Sequence, residues 1–220
     1  VQGYLELLVH FGNTVAIEQQ REFLLKAQHA CEELVLLLNN VMDAGRLEID
    51  AGIRPAHLQC VHVLEEVHNV IALIEPQLTH EHRKVGVSIP ASLTVRADPI
   101  RFRQVLLNLS VNALKYSSPT TPITFSARIV KYPAPGVIVS VIDKGKGISE
   151  QDQDRLFQRF VRLEQDLNSS VRGSGLGLYI SYRLVEAMGG KIWVESKGIP
   201  GEGSQFNVQL PVADLRHFKL

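Results

Sequence analysis

Three polar side chains stand at helical spacing in one short segment of the chain. Asn108, Asn112 and Lys115 occupy positions i, i+4 and i+7, so a helix would place them on one stripe. Neutral carboxamide oxygens suit a hard cation such as Mg²⁺, and an ammonium group suits a phosphate. A nucleotide that carries its metal would satisfy all three groups, and the segment therefore predicts a nucleotide site beside this helix.

The sequence around these residues predicts the helix that positions them. Asp98 and Pro99 stand at its expected start, as a capping carboxylate and a proline in the first turn, where no N–H is missed. An apolar stripe beside the polar one would face the core. It consists of Phe102, Val105, Leu106, Leu109 and Ala113.

An aspartate-glycine segment, Asp143-Lys-Gly145-Lys-Gly147, directly follows a strand-like run. A carboxylate at a strand end, beside glycines that let backbone come close, can accept a hydrogen bond from an exocyclic amine. Adenine offers such an amine, whereas guanine at that position does not. A simple turn with a capping aspartate fits this short pattern equally well.

A second glycine segment, Gly173-Ser-Gly175-Leu-Gly177, precedes a helical pattern. Backbone N–H groups and the helix dipole make such a start an anion site, although a glycine-rich helix cap has the same pattern. The polar run before it predicts a mobile lid. Arg162 and Arg172 are candidates to contact a phosphate, although exposed arginines usually need no such explanation. Between the two glycine segments, 156–162 predicts a short amphipathic helix packed on the core.

Composition limits the classes of protein that fit. The 23 basic and 23 acidic residues leave a formal net charge of zero, which removes the main electrostatic reason to expect nucleic acid as a partner. No apolar run approaches the ~20 residues that span a bilayer. Cys31 and Cys60 form no short-spaced pair, which favours a reduced, cytoplasmic setting. The chain begins without a methionine and is typical of a fragment, so a membrane anchor elsewhere in the full-length protein stays open.

Two domains are predicted, 1–52 and 53–220, with a break at Gly52 to Pro55. The first carries a heptad seam too broad for one helical hairpin to bury. Pairing two hairpins into a four-helix bundle would bury the seam and make a homodimer, and packing onto the rest of the same chain is the alternative. In the second domain, strands interleaved with helices predict an α+β fold, with one layer of sheet under one layer of helices.

The motifs occur in an order that resembles the ATP-binding domain of sensor histidine kinases of two-component systems, within the group that shares the Bergerat fold. The segments that carry this resemblance are NLSVNALKYS, VIDKGKGI, LFQRFVR and GSGLGLYIS, followed by the closing GEGSQFNVQLP. The region before them, through DAGRLE, resembles the family's dimerisation hairpin, truncated at its N-terminus.

The resemblance implies MgATP binding, with Mg²⁺ on Asn112 and adenine on Asp143. Lys144 and Lys146 depart from common versions of the family, which carry smaller or neutral residues there. The implied ATP-binding set is Asn108, Asn112, Lys115, Tyr116, Asp143, Gly145, Gly147, Ile148, Arg162, Arg172, Gly173, Gly175, Leu176, Gly177 and Ser204.

The activity implied is ATP-dependent phosphorylation of a histidine, then transfer to an aspartate on a response-regulator receiver domain. The acceptor histidine is expected upstream of Val1, since His10 and His29 lack the family's sequence context, and no catalytic residue is assigned. One alternative is a non-catalytic ATP-binding and dimerisation module with the same fold. Another is an ATP hydrolase of the wider fold group, whose members usually carry a glutamate base where Asn108 stands.

Overall fold

The computed structural model describes residues 17–20, 23–24, 57–131, 135–161, 163 and 175–213. The chain divides into two compact units, Val1–Ile49 and Asp50–Leu220. In the first unit, residues 17–20 and 23–24 are helical, and the rest of the predicted dimerisation hairpin lies outside the described residues. No helix in the described part of the chain is long and apolar enough to cross a membrane.

Seven strands and four helices make up the described part of the second unit. In chain order they are β1 (Gln59–His62), α1 (Val63–His80), β2 (Val85–Ser88), β3 (Thr94–Ala97), α2 (Pro99–Tyr116), β4 (Ile123–Val130), β5 (Gly136–Ile142), α3 (Glu150–Gln153), α4 (Gly177–Ala187), β6 (Lys191–Glu195) and β7 (Gln205–Pro211).

The main sheet has five strands in the order β2-β4-β5-β7-β6. Strand β2 is parallel to β4 and the other pairs are antiparallel, so the sheet is mixed. Central strand β5 is buried along almost its whole length, and Val139 pairs with Val208 of β7. A buried hydrogen bond of 2.6 Å from Ser140 Oγ to Asn207 Oδ1 satisfies the polar groups enclosed between these strands.

Helix α2 is the centre of the helical layer, packing on α1 and α4 and against the sheet. Its predicted start is confirmed, because Asp98 Oδ1 accepts from the N–H groups of Ile100 at 3.1 Å and Arg101 at 3.2 Å. The predicted apolar stripe is buried as expected, and the residues of α2 that face the core are Phe102, Val105, Leu106, Leu109, Ser110, Ala113 and Leu114.

One local feature was missed by the sequence analysis, and one local prediction needs correction. The sequence patterns did not reveal that β1 and β3 form a separate two-stranded antiparallel sheet. The helix predicted at 156–162 is wrong, because α3 ends at Gln153 and turns follow. The N–H of Phe160 bonds the Gly175 carbonyl at 3.1 Å instead of a carbonyl one helical turn back, and Phe160 is left 71% exposed with φ of 60°.

Candidate nucleotide-binding site

The polar stripe of α2 forms one wall of the site. Asn108 Nδ2 donates to Ser181 Oγ of α4 at 2.8 Å, and a Cβ on Gly177 would lie 2.5 Å from Asn108 Oδ1. Asn108 therefore fixes the start of α4 against α2 and retains Oδ1 as an acceptor. Asn112 and Lys115 follow on the same stripe and are half-buried.

Asp143 stands at the end of β5 and is only 4% exposed. Its Oδ1 accepts from the Gly145 N–H at 2.7 Å, and its own N–H donates to the Ser204 carbonyl at 3.0 Å. Burial raises the pKa of Asp143, and this outweighs the opposing hydrogen bonds from the Gly145 and Ser204 backbones and the charges of Arg83 and Lys144. A donor that reached this carboxylate would stabilise its charged form.

Two glycines allow backbone segments to meet around Asp143. A Cβ on Gly145 would overlap the carbonyl oxygen of Tyr116 at the end of α2, and a Cβ on Gly203 would overlap the Asp143 carbonyl. Gly203 also has φ of +77°, which side-chain-bearing residues rarely adopt. The end of α2, the loop after β5 and the turn before β7 are thereby brought together.

A cavity of about 510 Å³ opens beside this junction. Its lining includes three residues of the predicted set, Lys115, Tyr116 and Gly145, and does not include Asn108, Asn112 or Asp143. The complete lining is Lys115, Tyr116, Ser117, Ser118, Thr121, Lys144, Gly145, Lys146, Pro200 and Gly201.

The second glycine segment is described from Gly175 onward. Gly175 has φ of +69°, and its carbonyl accepts a hydrogen bond from the Phe160 N–H. Leu176 is buried and is the N-cap residue of α4. Gly177 lies against Asn108. The structure thus brings Gly177 of this segment against α2. Arg162, Arg172 and Gly173 lie outside the described residues.

Two other residues of the predicted set, Gly147 and Ile148, shape the far side of the loop after β5. Gly147 has φ of +75°, and Ile148 is buried, with its N–H donating to Ser196 Oγ at 3.0 Å. The positive φ of Gly147 suits a glycine in a tight loop. The hydrogen bond from Ile148 to Ser196 connects this loop to the segment after β6.

One residue of the junction, Arg83, was missed by the sequence analysis. Its side chain has no exposed surface and donates to Ser117 Oγ at 2.5 Å, to the carbonyls of Ser117 and Leu114 at 3.2 and 3.3 Å, and to Glu81 at 2.9 Å. The guanidinium therefore holds the last turn of α2, which carries Lys115 and Tyr116. Nothing in the sequence distinguishes Arg83 from its polar neighbours.

Comparison with known protein families shows to which family this chain belongs. Residues 97–214 match the family described as histidine kinase-, DNA gyrase B-, and HSP90-like ATPase, which is more than half of the chain. The chain belongs to this family. The matched region begins at the end of β3 and extends beyond β7, so it contains α2 and both glycine segments.

Curated relatives specify the branch of this ATPase family. The adaptive-response sensory kinase SasA of Prochlorococcus marinus is 39% identical over 194 residues, which are 86% of this chain and 48% of SasA. The sensor histidine kinase YcbM of Bacillus subtilis is 32% identical over 212 residues, covering 96% of this chain and 65% of YcbM. The chain spans about half or less of the first relatives that it matches.

Solved structures confirm the expected fold. Full-length ShkA in complex with AMPPNP superposes with a TM-score of 0.70 at 29% identity, covering 91% of this chain and 40% of ShkA. The catalytic domain of histidine kinase ThkA gives a TM-score of 0.61 at 26% identity, covering 70% of this chain and 95% of that domain. This ATPase-family domain is therefore a sensor histidine kinase ATP-binding domain with the two-layer Bergerat fold.

Proposed function

We propose that this chain is the ATP-binding kinase core of a two-component sensor histidine kinase, which supplies the phosphoryl group for histidine phosphorylation. The observation that supports this most is the buried Asp143, held by backbone N–H groups beside the polar stripe of α2. A carboxylate that is buried at an energetic cost is typical of a functional group.

Each wall of the site has a distinct role in nucleotide binding. The Asp143 carboxylate accepts a hydrogen bond from the adenine amine, and Gly145 lets the loop lie close to the end of α2. Tyr116 lies at the nucleotide, and Lys115 neutralises phosphate charge. Among the residues in the described part of the chain, Gly175 and Gly177 form the glycine-rich start of α4 that closes over the triphosphate.

The donor set fits Mg²⁺ that arrives with the nucleotide. In the described part of the chain, no three His, Cys, Asp or Glu side chains cluster as metal ligands. Mg²⁺ bound to substrate phosphates keeps several waters and needs only one or two protein oxygens. The half-buried carboxamide of Asn112 supplies one, on the same stripe as Lys115. The ion would neutralise the charge that develops on the phosphates.

The proposed transfer moves the terminal phosphoryl group of ATP to a histidine nitrogen and leaves ADP. A bond from phosphorus to the bridging oxygen breaks as the bond to nitrogen forms. The acceptor histidine lies outside the ATP-binding domain, residues 1–52 form the homodimer, and an aspartate of a response-regulator receiver domain takes the group next. These events place the domain in the cytoplasm.

Calorimetric titration with MgATP tests the adenine-binding role. The substitution Asp143→Ala should weaken binding about 10- to 100-fold, because a hydrogen bond to a charged group contributes ~1.5–3 kcal/mol. Asp154→Ala, which removes an exposed carboxylate after α3, is the matched control and should leave the affinity unchanged. Equal affinities for all three proteins, or equal affinity for GTP and ATP, would exclude Asp143 as the adenine-binding residue.

Phosphoryl transfer is tested separately on the full-length protein with γ-labelled ATP. Acid-labile label on a histidine outside the ATP-binding domain is expected. Nucleotide binding without any transfer would favour the non-catalytic regulatory module instead.

A further inference from the structure

Arg83 connects the end of α1 to the end of α2. It stands between α1 and β2, and its side chain has no exposed surface. The guanidinium donates to Glu81 after α1, and to Ser117 Oγ and the carbonyls of Leu114 and Ser117 at the end of α2. Because a guanidinium stays protonated in proteins, this contact network carries a permanent positive charge inside the domain.

The backbone before Arg83 fixes the position of this residue. The Arg83 N–H donates to the Leu78 carbonyl at 2.9 Å and the His82 N–H donates to the Thr79 carbonyl at 3.2 Å, which is the pair of bonds of a Schellman motif. The left-handed position of this motif is usually glycine, but here it is His82, with φ of 51°. The chain thus has an unfavourable backbone conformation at the residue that leads into Arg83.

The turn of α2 that Arg83 holds is also the turn against which the Asp143 loop packs. Tyr116 lies in this turn, and a Cβ on Gly145 would overlap its carbonyl oxygen. The Gly145 N–H in turn donates to Asp143 Oδ1 at 2.7 Å. A shift of the last turn of α2 would therefore displace the N–H that holds the Asp143 carboxylate.

The charge of Arg83 also acts on Asp143. Burial raises the pKa of Asp143, and the charges of Arg83 and Lys144 oppose that rise. Lys144 is exposed, whereas Arg83 is buried, so water and salt screen the charge of Arg83 less. The charged and titratable groups on the segments around Asp143 are Arg83 with its ion-pair partner Glu81, Lys115, Tyr116, Lys144, Lys146, and Glu202 with its ion-pair partner Lys197.

We propose that Arg83 is a positioning residue of the nucleotide site, which sets the affinity for adenine by holding the end of α2 against the Asp143 loop. The inference rests on the proposed function, because it concerns the adenine-binding role of Asp143. Arg83 has no contact with the nucleotide in this proposal. It acts through the geometry of the last turn of α2 and through its charge, which favours the ionised carboxylate.

An NMR pH titration of the Asp143 carboxyl carbon tests the effect of the charge without any nucleotide. The pKa of Asp143 should be higher in Arg83→Met than in the parent chain, because a nearby positive charge has been removed. Arg83→Lys retains the charge and should give a pKa close to that of the parent. Arg96→Met, at an exposed position of β3, is the matched control and should leave the pKa unchanged.

Calorimetric titration with MgATP tests the effect on binding, at a temperature at which circular dichroism shows each variant to be folded. At neutral pH, Arg83→Met should weaken binding roughly 2- to 30-fold, the range for residues that act on a site through their neighbours. Affinity should fall as pH decreases through the Asp143 pKa, because protonation removes the charge that strengthens the bond to the amine. In Arg83→Met this fall should begin at a higher pH than in the parent chain.

Arg83→Lys separates geometry from charge and keeps the test decisive if Arg83→Met does not fold. It should bind MgATP more weakly than the parent, because it lacks the forked donor geometry, but with the pH profile of the parent. Affinity for MgATP equal to that of the parent in Arg83→Lys, or an unchanged Asp143 pKa in folded Arg83→Met, would overturn the proposal. A parent chain that shows the Asp143 pKa difference but does not bind MgATP would contradict only the proposed function.

Discussion

Substitution of Arg83 by methionine should destabilise the ATP-binding domain more than removal of a positive charge at an exposed position. The guanidinium is fully buried and donates to Glu81, to the Ser117 hydroxyl and to the carbonyls of Leu114 and Ser117. Methionine has a similar length but no donor. The substitution would leave Glu81, which follows α1, and the acceptors at the C-terminal turn of α2 without their charged partner.

The expected loss in the free energy of unfolding is ~3–5 kcal/mol, the usual cost of removing one member of a buried ionic network. Individual hydrogen bonds to charged groups contribute ~1.5–3 kcal/mol and are not additive, so their sum would overestimate the effect. For a domain of this size each kcal/mol lowers Tm by ~2–4 °C, which gives a decrease of ~6–20 °C.

Thermal and urea denaturation of the two proteins would measure this loss. Arg96→Met, at an exposed position of β3, is the matched control and should change the free energy of unfolding by ~0.5 kcal/mol or less. Arg83→Lys keeps the charge but not the forked geometry, and its stability should fall between the other two. If Arg83→Met is no less stable than Arg96→Met, the guanidinium does not hold the end of α2.

Three further predictions concern other parts of the site. Gly203→Ala should lower the free energy of unfolding by at least ~1–3 kcal/mol in urea denaturation, because φ is +77° and the new Cβ overlaps the Asp143 carbonyl; an unchanged midpoint would contradict this. Asp98→Ala removes the acceptor for the N–H groups of Ile100 and Arg101 and should cost ~1 kcal/mol by the same measurement. Because burial raises the pKa of Asp143 above 3.8, its contribution to stability is present below that pH and is lost as pH rises through the folded pKa. The free energy of unfolding of the parent chain minus that of Asp143→Asn should therefore fall as pH rises from below 3.8 into the neutral range, and a rise would show that the folded site lowers this pKa.

Helical periodicity and capping chemistry predicted most of α2 correctly from the sequence. Its start at Asp98 and Pro99 and its buried stripe depend on neighbouring residues in the chain, and the structure has both. The helix expected after the second glycine segment is also present, as α4. Local patterns of this kind also predicted a site at the loop after β5, since Asp143 and its glycines lie within a few residues of one another.

Contacts between residues far apart in the chain could not be predicted from the sequence. Arg83 and Ser117 are 34 positions apart, and Asn108 and Ser181 are 73 apart, so no periodicity relates them. The turn at Phe160 was predicted as a helix because its apolar spacing is helical. A tertiary hydrogen bond from its N–H to Gly175 overrides that preference.

Asp143 connects the stability of the domain to its proposed chemistry. An asparagine at this position could still accept from the Gly145 N–H, and it would avoid the cost of burying a charge. The chain nevertheless has a carboxylate that burial drives towards protonation. A carboxylate differs from a carboxamide in presenting only acceptors when ionised, which is the property needed to bind an amine and exclude a carbonyl. The energetic cost of Asp143 in the free domain is therefore consistent with selection of adenine over guanine, since an amine donor would offset that cost only in the complex.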